Sequence, residues 1–252
     1  MGEGGNFIME ETQLFQKRIT QYQNDFKKYG NSELTLAMPS DRRNIRYFEL
    51  IKFFDFYIQH EYEREFSICD AGCGLGDLNK YLETIGYTHY SYLGLDIVPE
   101  FLEECAKNYS SSRYHFANRN FMIEDISDLS FDYAVSSQAF TIQYREENNN
   151  YDLIFRALEN LFRQCKIGMS FNFFSDKVDF YKSGTAYHNP VKILEFVYSL
   201  SANVILDNSC LPYECTITVF KDTQALDHMV FDRFKRLHQK EFESGIFVIK
   251  EK

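Results

Sequence analysis

The residues that could do chemistry are concentrated in Asp70-Ala71-Gly72-Cys73-Gly74-Leu75-Gly76-Asp77, which follows the apolar run Phe66-Ser67-Ile68-Cys69. An apolar run ending in an acid and alternating glycines reads as a buried strand that turns sharply into a helix. Glycines at such a turn let a ligand approach the backbone, and the free amides of the following helix point at the same place. That chemistry suits a nucleoside cofactor. It does not suit NAD, because the dinucleotide fingerprint places a glycine three positions after the second one, where Asp77 stands here. A second apolar run, Ser91-Tyr92-Leu93-Gly94-Leu95, ends in Asp96 and Ile97 after a helix-length gap. A carboxylate there can accept from two hydroxyls at once, whereas the plainer reading is a cap on the helix that opens at Pro99.

The motif and its context resemble the class I S-adenosylmethionine-dependent methyltransferases over about Phe66 to Lys221. The resemblance implies that Gly72, Gly74 and Gly76 pack against the methionine part of S-adenosylmethionine and that Asp96 binds the ribose hydroxyls. It further implies that Asp125 accepts the adenine amino group beside the backbone of Ile126, with Glu124 as the competing acid one register away. Ser136 and Ser137 would line the methionine end. Arg46, in Arg43-Asn44-Ile45-Arg46-Tyr47-Phe48, resembles an element that reaches toward the cofactor carboxylate in small-molecule members; a plain surface arginine is the competing reading.

In a doubly wound sheet the ligand lies beyond the carboxyl ends of the strands. This topology adds Asp70, Cys73 and Ile97 to the cofactor side, and it nominates Gln138, Asn172, Tyr181 and Tyr187 to hold the acceptor. Methyl transfer asks mainly for alignment in a dry site. Where the acceptor must lose a proton, His188 in Tyr187-His188-Asn189-Pro190 is the best placed base by sequence order, against an ordinary place in the turn before the next helix.

The remaining elements must position these groups. Periodicity predicts helices over about Glu11–Tyr29, Asp41–Tyr57, Leu78–Ile85, Pro99–Asn108, Asp152–Gln164 and from Pro190, and strands at 121–123, 131–135, 167–174, 203–206 and 214–220 besides the two above. Met1–Asn6, rich in glycine, reads as disordered. The fold expected is α/β, a doubly wound, mostly parallel, seven-stranded Rossmann-like sheet with a final antiparallel strand. Residues 1–60 form a helical lid, 61–222 the core, and 223–252 a C-terminal extension packed on it. In that extension Leu226, Met229, Val230, Phe234 and Leu237 make a helical stripe that also offers a homodimer contact, and Gly245–Ile249 reads as an extra strand.

Composition narrows the partners. The 252 residues carry a net charge of −10, which opposes nucleic acid, and the Asn/Asp-Pro-Pro-aromatic and Pro-Cys signatures of DNA methyltransferases are missing after the fourth strand. Six cysteines without Cys-x-x-Cys spacing or histidine partners predict no metal and reduced thiols, hence a cytoplasmic setting. Neither a secretory leader nor a membrane span is predicted. The expected activity is methyl transfer from S-adenosylmethionine to an O or N atom of a small molecule. The alternatives are a protein methyltransferase and a catalytically inactive cofactor-binding scaffold.

Overall fold

The computed structural model describes residues 3–60, 65–144, 150–221 and 238–247. The chain divides into two compact units, Met1–Phe220 and Lys221–Lys252.

The first unit is built on a seven-stranded sheet in which β1 (Phe66–Ala71), β2 (Tyr90–Asp96), β3 (Tyr114–Asn118), β4 (Phe131–Ser136) and β5 (Cys165–Phe174) run parallel. β6 (Val204–Asp207) and β7 (Glu214–Phe220) complete it, with β7 antiparallel to both β5 and β6. The spatial order is β3-β2-β1-β4-β5-β7-β6. The chain therefore reverses direction across the sheet between β1 and β4, which opens the crevice where doubly wound sheets bind ligands.

Alternation along the central strands sends side chains to two cores. Ile68, Tyr133 and Val135 pack with Leu50, Ile51 and Phe54 of α3 (Ser40–His60) and Leu78 and Leu82 of α4 (Asp77–Thr84). Cys69, Ala134 and Met169 pack on the other face with Leu153, Ile154, Ala157, Leu158 and Leu161 of α6 (Tyr151–Gln164) and Ile193 and Val197 of α7 (Pro190–Leu200). α5 (Pro99–Asn108) brings Phe101 against Tyr22 and Phe26 of α1 (Glu3–Tyr29), so the N-terminal helix is tied to the sheet edge by aromatic contacts at 5.7 and 5.6 Å.

Four expectations change. α1 begins at Glu3, so the opening glycines extend a helix already nucleated by the amphipathic stretch downstream. A one-turn helix, α2 (Glu33–Leu36), precedes α3. The third strand is Tyr114–Asn118, and 121–123 is the turn that leaves it. In the second unit, α8 (Gln239–Glu243) is followed by a turn at Ser244–Gly245 and a bend at Ile246–Phe247, where a strand was expected to begin. The expected stripe from Leu226 to Leu237 and the residues Val248 and Ile249 lie outside the described residues.

No described helix is long and apolar enough to cross a membrane. Among the described residues no group of three or more His, Cys, Asp or Glu side chains is placed to hold a metal.

Candidate active site

A cavity of about 750 Å³ opens at the carboxyl edge of the sheet, within the range of small-molecule sites. Its first half is made by the ends of β1 and β2. Gly72 and Cys73 donate from their amides to the Leu95 carbonyl at 2.8 and 3.0 Å, which fastens the turn after β1 to β2. Gly72, Gly74 and Gly76 all have positive φ, and a Cβ on Gly72 would stand 3.2 Å from that of Ala139. The backbone is thereby exposed to whatever occupies the cavity.

Asp96 faces this turn. One carboxylate oxygen accepts from the Gly74 amide at 2.8 Å and the other from the Val98 amide at 2.9 Å. Capping the turn in this way leaves the carboxylate room to accept further hydrogen bonds. Burial raises the Asp96 pKa, while the hydrogen bonds from Val98 and Gly74 oppose the shift. Asp70 also lines the cavity and is pushed up to about 7 by burial, against a hydrogen bond from the Tyr92 hydroxyl at 2.5 Å. Ile97 and Cys73 complete this wall. Gly76 lies behind it. It enters α4, its carbonyl accepts from the Tyr109 hydroxyl at 3.1 Å, and a Cβ there would meet the Tyr109 ring at 2.8 Å.

The new position of β3 corrects the adenine side. The chain leaves the sheet at Asn118, so Asn120, Phe121 and Met122 line the cavity. The Asn120 side chain accepts from the Met122 amide at 3.1 Å, and its carbonyl accepts from Ile123 and Glu124 in a tight turn. Asp125 is exposed and turned outward, accepting from the Ser127 amide at 2.9 Å, and Ile126 is in the core, so neither they nor Glu124 reach the cavity. The apolar run Phe121-Met122-Ile123 misleads because a turn can bury such residues as fully as a strand does. The period-two pattern of Tyr114, His115, Phe116 and Ala117 was the available signal.

The second half is built from the ends of β4, β5 and β7. Ser136 is buried and donates to the Ala71 carbonyl at 2.8 Å, tying β4 to β1 behind the lining, whereas Ser137 reaches the cavity. Gln138 has φ 62°, and its conformation is held from several sides. Its amide donates to Asn172 at 2.7 Å, its carbonyl accepts from the Thr141 hydroxyl at 2.7 Å, and its side-chain amide donates to Glu214 at 3.2 Å. Asn172 thus supports Gln138 from beneath and does not itself line the cavity. Glu214, which sequence reasoning missed, in turn takes a fork of hydrogen bonds from Arg46. Nε lies 2.8 and 3.1 Å from the two carboxylate oxygens, and Nη2 also donates. Arg46, expected at the cofactor carboxylate, is therefore committed to Glu214 through two of its nitrogens, with Nη1 left over in a lining residue.

His188 corrects the expected base. Its ring is fully buried, Nε2 is 2.8 Å from the Phe140 carbonyl, and Tyr151 and Phe173 pack around it. Burial lowers its pKa, against the hydrogen bond to Phe140, and it does not line the cavity. Tyr181 is 69% exposed, with its ring across that of Tyr187; of the two, Tyr187 alone lines the cavity. The roof comes from Phe15 and Tyr22 of α1, the Leu36–Pro39 link and Arg42, Arg46 and Tyr47 of α3. Ala37, Gln138 and Tyr213 are the non-glycine residues with positive φ among the described residues, and all three line this cavity. Strained backbone gathered at one place marks a functional site independently of any motif.

Comparison with known proteins agrees with this geometry. Residues 68–166 match the model of a methyltransferase domain. Rv1506c of Mycobacterium tuberculosis, whose name assigns it as a methyltransferase, is 30% identical over 162 residues, covering 62% of this chain and 93% of that protein. Two solved structures share the fold at TM-score 0.53. Magnesium protoporphyrin IX methyltransferase from Synechocystis PCC 6803 with bound SAH is 11% identical, over 82% of this chain and 95% of that one. The DhpI–SAH complex is 12% identical, over 84% and 98%. With the glycine turn facing Asp96, the strand order and a relative matched over nearly its whole length, the chain belongs to the class I S-adenosylmethionine-dependent methyltransferases.

Proposed function

We propose that the protein transfers a methyl group from S-adenosylmethionine to an O or N atom of a small molecule. The observation that carries the small-molecule reading is the two-part cavity, lined by the sheet edge, by α1 to α3 and by the connections after β5 and before β7. A lining drawn from so many segments suits a compact acceptor better than a peptide laid in a groove.

The donor supplies an electrophilic methyl on a sulfonium. The chain's own work is binding, alignment and exclusion of water. Asp96 is placed to accept from the ribose hydroxyls, Asn120 and the Met122 backbone to meet the adenine edge, and the Gly72–Gly74 turn with Asp70 and Ser137 to receive the methionine end. Nη1 of Arg46 is available to a carboxylate, while Gln138 and Glu214 are the polar groups that meet the acceptor. Fixing Gln138 through Asn172, Thr141 and Glu214 holds its side-chain oxygen in one orientation before the acceptor arrives, which lowers the cost of ordering.

Calorimetric titration with S-adenosylhomocysteine tests the donor side, followed by acceptor screening with labelled methyl donor. Saturable binding and a labelled low-molecular-weight product are expected. Label appearing only in protein would overturn the small-molecule reading, and no binding by folded protein would overturn the reaction.

A further inference from the structure

The acceptor half of the cavity carries a charge and a surface that specify what it takes, given the proposed function. Four cations and three carboxylates line the whole cavity: Arg42, Arg46, Arg119 and Lys182 against Asp70, Asp96 and Glu214. Arg46 is paired with Glu214 through Nε and Nη2, and Arg119 with Glu124 and Asp128 at 3.1 and 3.0 Å. Arg42 and Lys182 have no carboxylate partner among the described residues, and both are exposed. Two positive charges in one cavity lining without a carboxylate partner among the described residues stand out on a protein of net charge −10. Asp179 is hydrogen-bonded to the Tyr213 hydroxyl and does not line the cavity.

Lys182 also sits on a fastened turn. Its amide donates to the Tyr187 hydroxyl at 3.1 Å, and its carbonyl accepts from Thr185 at 3.1 Å. The turn is bonded to the segment after β4, from Ala186 to Thr141 at 2.8 Å and from Gln143 to Gly184 at 3.1 Å. Around it lie exposed aromatic side chains. Phe180 is 55% and Tyr213 40% exposed, their rings perpendicular at 5.6 Å, and Phe174 and Tyr187 stand deeper in the same lining.

We propose that the methyl acceptor is an aromatic small molecule bearing an anionic group, a carboxylate or a phosphate. Its ring lies against Phe180, Tyr187 and Tyr213, Lys182 receives its anion, and its nucleophilic atom points to Gln138. The ring faces supply apolar contact, and the ammonium supplies selection against neutral analogues.

The test uses matched sets built on the same ring skeletons, an aryl carboxylate, an aryl phosphate and a neutral aryl amide, with an alkyl carboxylate as control. Binding is measured calorimetrically with and without S-adenosylhomocysteine, on wild type and on Lys182→Glu. The better of the two aryl anions is expected to bind at least about fivefold more tightly than its amide, as for one partly exposed charge pair, and more tightly than the alkyl acid. Which anion wins identifies the group. Lys182→Glu, a change at an exposed position, is expected to abolish the preference while leaving S-adenosylhomocysteine affinity intact. Equal binding of acids and amides, binding by no set, or a preference that survives Lys182→Glu would overturn the proposal. A preserved anion preference in a protein that fails to bind S-adenosylhomocysteine would instead refute the methyltransfer reading alone.

Discussion

Asp70 offers a quantitative check on the cavity's electrostatics. Burial holds its carboxyl up to about 7, far above the ordinary 3.8, with the nearby Asp96 and Asp77 charges adding to the shift and the Tyr92 hydrogen bond opposing it. The folded state therefore binds a proton that the unfolded chain has released over this interval. Stability falls as pH rises from about 4 to about 7 and levels off above that. At about 1.36 kcal/mol per pH unit the full loss is about 4 kcal/mol, of which about 2 kcal/mol falls between pH 5 and pH 7. Asp70→Asn keeps an acceptor for Tyr92 and removes the titration. Urea denaturation of wild type and Asp70→Asn at pH 5, 6, 7 and 8 isolates the effect, because every other titrating group is shared. The variant should gain about 2 kcal/mol on wild type between pH 5 and 7 and little more between 7 and 8. Parallel stability curves would refute the assignment of a buried, largely desolvated carboxylate, and a gain confined to pH below 5 would mean that the carboxyl is only slightly desolvated.

Asp96→Ala should weaken S-adenosylhomocysteine binding by at least about 100-fold in calorimetry, the loss expected for two charge-assisted hydrogen bonds. Asp96→Asn should recover part of it, because an amide oxygen can still accept from Gly74. Gly76→Ala places a Cβ 2.8 Å from the Tyr109 ring at a φ of 77°, and should cost about 1–3 kcal/mol in denaturant unfolding, by destabilising the turn. His188→Gln should leave kcat and KM for an identified acceptor within about threefold while lowering thermal stability, because the ring fastens Phe140 and does not line the cavity. A loss of kcat of about 100-fold at unchanged S-adenosylhomocysteine affinity would restore His188 as the base.

What was legible in the sequence follows from how local each signal is. The glycine turn, Asp96, six of the helices and the antiparallel last strand are written in short windows, where a turn requires glycine, a period marks a face, or a brief connection forbids a crossover. β3 was misplaced because edge strands are only half-buried, so their alternation of Tyr114 and Phe116 with His115 and Ala117 is weaker than a fully apolar triplet beside it. The acceptor side was less visible for a different reason. Gln138 is shaped by Asn172 and Glu214, 34 and 76 residues away, and Arg46 is held by Glu214 at a separation of 168. Such pairs have no spacing rule, since sheet order and not sequence distance brings their elements together. Arg46 shows the consequence: its local pattern pointed to a cofactor carboxylate, and only the fold reveals an acid at the start of β7 competing for the same guanidinium. Under the proposed function, a residue that binds Glu214 and also lines the cavity joins the donor and acceptor halves. Occupancy of one half should therefore be felt in the other through this pair, because a guanidinium held in a fork cannot reorient toward a new anion without loosening the old one.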